Sequence, residues 1–239
     1  MNLGIDKFLT DVANHWSAYV IALSIIGSVS MALLQTVKDL LPTRQWFQSY
    51  YLRKWMEEGA AEARASFKNP DVSAVKAEKD LLTMAVDGDA GALYDLQIEQ
   101  LCGQYTAAIQ IVLEFPSAHL DLLAVTASQA NAADMKLVLG GPPVPPTQAT
   151  QAFLDARNRV THQCQRAIDA LQITAGFRWK WMLQVASIVL SGSLAWVSMT
   201  YRPAIAPSLV SIFVSAILAG FLAPVAKDLL AVLQKARGQ

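Results

Sequence analysis

Three histidines (His15, His119, His162) and two cysteines (Cys102, Cys164) are the side chains of this 239-residue chain best suited to hold a metal or to act as nucleophiles. Their spacing argues against both roles. The histidines fall in different segments, and the one close pairing, His162 with Cys164, is two residues apart, so on a helix the two point in different directions. Asp87-Gly88-Asp89 begins like a calcium loop. Counted from Asp87, however, the sixth position is Ala92 where such a loop needs glycine, and the twelfth is Ile98 where it needs glutamate. A turn and helix cap is the expectation there. The chain carries no phosphate loop, nucleophile elbow or metalloprotease helix. These patterns predict a protein that is not an enzyme and needs neither metal nor cofactor.

The stretch SLVSIFVSAILAGFLAP, residues 208–224, raises a different possibility. Ser211, Ser215, Ala219 and Ala223 are four apart, Ala216 and Gly220 widen the stripe, and Ser208 and Pro224 bound it. A groove of small side chains lets helix backbones approach closely where lipid supplies no hydrophobic drive. Tight packing is one reading. The other is that several copies surround an axis and the small, partly hydroxylated face lines a narrow water path.

Both readings require membrane helices, and the composition supplies candidates. Hydrophobic residues make up 54% of the chain and charged ones 16%, a balance away from ordinary soluble domains. Residues 12–37, 181–201 and 203–226 carry no formal charge, and each reaches the roughly 20 residues that cross a bilayer core. Trp16 and Tyr19 at the first stretch, Trp179, Trp181 and Tyr201 around the second, and Trp46 beyond the first suit the headgroup level. Lys38, Arg44, Arg53 and Lys54 follow the first stretch, Arg178 and Lys180 precede the second, and Lys227, Lys235 and Arg237 follow the third. Basic flanks mark the cytoplasmic side. The expected order is an extracytoplasmic N-terminus (1–16), a first span (17–37), a cytoplasmic helical domain (38–146), a stalk helix (147–180), spans at 181–201 and 207–226, and a cytoplasmic tail (227–239).

Within the cytoplasmic part no β-branched alternation suggests a strand, so the expected fold is all-α. Phe47, Tyr51 and Trp55 share a helical face after Pro42 and predict a helix that lies in the cytoplasmic membrane interface or leaves it obliquely. Asn69-Pro70 ends the polar helix that follows, and a short helix is expected between Asp71 and Asp87. Another runs up to Phe115-Pro116, and one capped by Ser117 continues to Gly140-Gly141. Phe153, Val160 and Ala167 are seven apart, a coiled-coil spacing that predicts contact with a neighbouring subunit. From Glu57 to Asp155 there are 14 acidic against 5 basic residues.

The spans hold no acid, base or histidine between their edges, which excludes proton relays, coupled transporters and intramembrane enzymes. The expected protein is therefore a homo-oligomeric pore or ion channel of a cell inner membrane, its partners the lipid bilayer and copies of itself, with no nucleic acid. The alternative is an anchor or assembly scaffold whose cytoplasmic helices bind a partner protein.

Overall fold

Pro42 stands immediately before the helix that begins at Thr43, where its missing N–H costs nothing, and its carbonyl accepts from Trp46 N–H at 3.0 Å. The computed structural model describes residues 41–141 and 148–200, together with residues 14, 25, 27–30, 32, 33, 35 and 36. Seven helices are delimited among the described residues: α1 (Thr43–Phe67), α2 (Ala74–Val86), α3 (Ala90–Asp95), α4 (Ile98–Val112), α5 (Leu120–Thr126), α6 (Ala132–Gly140) and α7 (Gln148–Thr200). No strand occurs among the described residues, so the all-α expectation holds.

Local chemistry sets most boundaries. Lys68 takes a left-handed conformation at the end of α1, just before Asn69-Pro70. Ser73 accepts the Lys76 N–H at the start of α2, while its own N–H donates to Asp121 Oδ1 at 2.7 Å. The Asp87-Gly88-Asp89 stretch is the cap and turn it resembled: Asp87 and Gly88 have φ of 51° and 88°, and Asp89 accepts from Ala92 N–H at 3.1 Å. Gln97 and Gln100 form a reciprocal capping box at α4. Asn131 caps α6, accepting from Ala133 N–H at 2.8 Å.

The chain divides into two units, one made of residues 1–41 and 180–239 and the other of residues 42–179. In the second unit a single core joins Leu52 and Met56 of α1, Leu81 of α2, Leu101, Tyr105 and Val112 of α4, and Leu122 and Leu123 of α5. α7 contributes Ala156, Val160, Cys164, Ile168 and Leu171, one stripe at helical spacing. α1 and α5 approach closely at Gly59, where a Cβ would lie 2.7 Å from the Val125 carbonyl oxygen. Only glycine allows that crossing.

Several expectations are corrected. Phe153 and Val160, expected against a neighbouring subunit, are buried within this one chain, and Ala167 is only half-buried. α7 runs unbroken through Gly176 and on into the stretch at 181–201. Ser117 lies in a turn, and α5 starts at Leu120 with His119 before it. The single helix expected up to Gly140 is two, because residues 127–130 turn. The aromatic face of α1 packs inward: Phe47 stacks on Tyr51 at 5.8 Å, and Trp55 meets Tyr105 edge to face at 6.0 Å.

Among the described residues no helix is long and apolar enough to cross a membrane. The stretch at 207–226 lies wholly outside those residues and that at 17–37 mostly so, while the one at 181–201 forms the end of α7 and passes just beyond it.

Candidate functional site

The two chain ends of the 42–179 unit come together. Phe47, near the start of α1, packs on Trp179 of α7 with ring centroids 5.1 Å apart, and the Arg178 guanidinium sits 5.3 Å over the Tyr51 ring. Such a cation–π contact holds a basic side chain beside an aromatic surface. Around this end Trp46 and Tyr50 of α1 and Ile173 and Phe177 of α7 stand in the open, Phe177 at 70% exposure. Four large apolar or aromatic side chains at one end of a unit form a collar that water does not favour.

In the other unit the usual burial order is inverted. Gly27, Ser30, Ser187 and Ser191 are buried, whereas Ile25, Val29, Leu33, Val185, Val189, Trp196 and Val197 are exposed. Val189 is 63% exposed and Ser191, two residues on, is 0%. Among the described residues of this unit, small and hydroxyl-bearing side chains are thus inside and large apolar ones outside.

The 42–179 unit also holds a groove of about 490 Å³. Trp55, Glu58, Gly59 and Glu62 form its α1 wall, Gln163, Arg166, Ala167 and Ala170 its α7 wall, and Thr126, Ser128 and Gln129 close it at the α5–α6 turn. The order of these residues, with the Phe47–Trp179 pair beyond them, makes α1 and α7 antiparallel neighbours. Gly59, Ala167 and Ala170 keep the groove open because they add so little bulk. Ser128, 8% exposed, donates to Glu62 Oε2 at 2.8 Å and fixes that carboxylate. Among the described residues neither Glu62 nor Glu58 is paired with Arg166 across the groove.

Elsewhere the polar groups serve the fold. Arg53 Nε donates to both oxygens of Glu78 (2.8 and 3.0 Å), and the Tyr94 hydroxyl donates to Glu78 Oε1 at 2.6 Å. Burial first, then this bond to a carboxylate, push the Tyr94 hydroxyl well above its ordinary range. Thr126 spends its hydroxyl proton on the Leu122 carbonyl (2.8 Å), so the fully buried Tyr105 hydroxyl is the donor in their 2.7 Å bond. Burial pushes the Cys102 and Cys164 thiols up to about 12, with Glu99 and Asp169 adding to the effect at Cys102. Thiols held neutral in this way are poor nucleophiles and poor ligands. His119 Nδ1 lies 3.3 Å from Asp80 Oδ2, near neither cysteine in sequence. No group of three or more metal-ligating side chains occurs among the described residues.

Of the residues singled out by sequence, Trp46 and Trp181 are exposed, while Trp179 is half-buried against Phe47, so its first role is packing. Trp16, Tyr19, Tyr201 and the stripe Ser208, Ser211, Ser215, Ala216, Ala219, Gly220, Ala223 and Pro224 lie outside the described residues. The groove escaped sequence reasoning. Its trace was Trp55 followed by Glu58 and Glu62 on one helical face, in a stretch that otherwise passes for a solvated polar helix. No protein-family model, no curated protein and no solved structure matches this chain.

Proposed function

We propose that this chain is an integral membrane protein whose helical unit, residues 42–179, stands on the cytoplasmic side as a scaffold for a partner protein. The inverted burial of the described residues within 25–36 and 181–197 carries the reading, because exposed valine, leucine and tryptophan beside buried serine suit lipid and not water. Support comes from the 42–179 unit itself. The two ends of that unit meet at Phe47 and Trp179, as they must if the uncharged stretches before and after it enter one bilayer. Arg44, Arg178 and the aromatic collar suit the headgroup level. In this reading the N-terminus is extracytoplasmic, the C-terminus cytoplasmic, and the membrane a cell inner membrane. Reporters fused after Gln239 and inserted within residues 140–146 will both report cytoplasm, and one before Met1 the outside. A reporter at 140–146 on the outer side would remove the reading.

A second reading, a homo-oligomeric pore lined by Ser208, Ser211, Ser215, Ala219 and Ala223, is favoured by the Ser191 hydroxyl, buried with no hydrogen-bond partner among the described residues. Polar side chains turned inward within an apolar helix group are the material of an uncharged water path. The mass and symmetry of the solubilised particle decide between the two. A cyclic ring of four or more copies supports the pore, and a monomer removes it.

A further inference from the structure

We propose that the groove between α1, the α5–α6 turn and α7 binds an extended segment of a partner protein through a basic side chain, clasped by Glu58 and Glu62 beside Trp55. The inference rests on the scaffold reading above and names the chemistry of its partner.

The walls select the charge. Glu62 is held in place by the buried Ser128 hydroxyl through one oxygen, which leaves its other oxygen free for a ligand. Glu58 lies one helical turn away on the same wall, and no described residue pairs with it. Trp55, one turn further along, is fixed by its edge-to-face contact with Tyr105. Two carboxylates and an indole together recognise an ammonium or guanidinium group, the first by charge-assisted hydrogen bonds and the second by its ring face. Arg166 does not fill this role from within, since it forms no ion pair with either glutamate among the described residues. It is instead available to a carbonyl or carboxylate of the same ligand.

The dimensions select a peptide over a free amine. From Trp55 to Glu62 the α1 wall is about 10 Å long at 1.5 Å per residue, enough for about three extended residues. Gln129 and Gln163 add amide donors and acceptors of the kind a main chain needs. The 42–179 unit as a whole carries 15 acidic against 12 basic residues, a small surplus of the sign that favours a basic partner.

Isothermal titration of the full chain in lipid nanodiscs tests the proposal, with a capped Ser-Arg-Ser-Arg-Ser peptide as the probe and its Glu counterpart and spermine as comparators. Glu58→Gln combined with Glu62→Gln is expected to weaken the Arg peptide by about tenfold or more, and so is Ala170→Leu, which fills the groove without changing charge. Glu57→Gln, exposed and off the groove wall, is expected to leave affinity within about twofold, as only a rim charge. No binding at millimolar peptide overturns the proposal, as does equal weakening by Glu57→Gln, or affinity unchanged in Ala170→Leu. Spermine bound as tightly as the peptide, with the same sensitivity to the groove variants, overturns it in favour of a polyamine site. Such failures leave the anchored-scaffold reading intact, because reporter topology decides that independently.

Discussion

At the scale of single residues, the titratable groups in the core of the 42–179 unit are all held in their neutral forms. Cys102 and Cys164 are raised to about 12, and Tyr94 and Tyr105 are raised above their ordinary range, burial being the largest cause in each case. The sign of the consequence follows from linkage. In the unfolded chain the thiols lose their protons near pH 9 and the phenols near 10, while the folded state keeps them, so the unfolded state binds fewer protons and stability falls as pH rises. The window opens at about pH 9 and extends past the folded thiol values near 12. Each thiol contributes a slope of at most about 1.4 kcal/mol per pH unit. Melting temperatures of the wild type will fall steeply between about pH 9 and 11, and those of a variant carrying Cys102→Ala and Cys164→Ala less steeply once referred to each protein's value at pH 8. Parallel curves would show that the thiols ionise alike in both states.

At the scale of elements, the sequence made the helices legible and their partners much less so. Capping and breaking residues act through local geometry, so Asn69-Pro70, the Asp87–Asp89 turn and Gly140-Gly141 marked real boundaries. Ser117 misled because a cap is chosen by the backbone that follows it, and residues 116–119 form turns before α5 begins. The sevenfold spacing of Phe153, Val160 and Ala167 was real as a stripe but silent about what covers it. Periodicity specifies a buried face, and here Val160 and its neighbours Ala156 and Cys164 join the core of the same chain. The aromatic face of α1 was misplaced for the same reason. The groove was illegible because it depends on α1 and α7, about a hundred residues apart in sequence, running antiparallel with small residues between them. If the stripe is intramolecular, Val160→Asp places an unpaired charge in the core and destabilises the 42–179 unit by about 3 kcal/mol or more. Urea denaturation followed by circular dichroism measures that loss. A folded body with unchanged midpoint but dissociated copies would restore the intersubunit reading.

At the scale of the whole molecule, the two units obey opposite rules of burial. In residues 42–179 leucine, methionine and tyrosine are inside and most charge is outside, as water requires. In the described parts of the other unit glycine and serine are inside, and valine, leucine and tryptophan are outside. Under the proposed function the second pattern is the one solvated by lipid. Nitroxide labels at Val185, Val189 and Val197, in a cysteine-free chain reconstituted in liposomes, test this most directly through collision with oxygen and with a water-soluble nickel chelate. High oxygen and low nickel accessibility at all three positions is predicted, with the reverse at a label on exposed Glu57. Labels at Val185 and Val189 that collide freely with the nickel chelate would place that face in water and contradict the account.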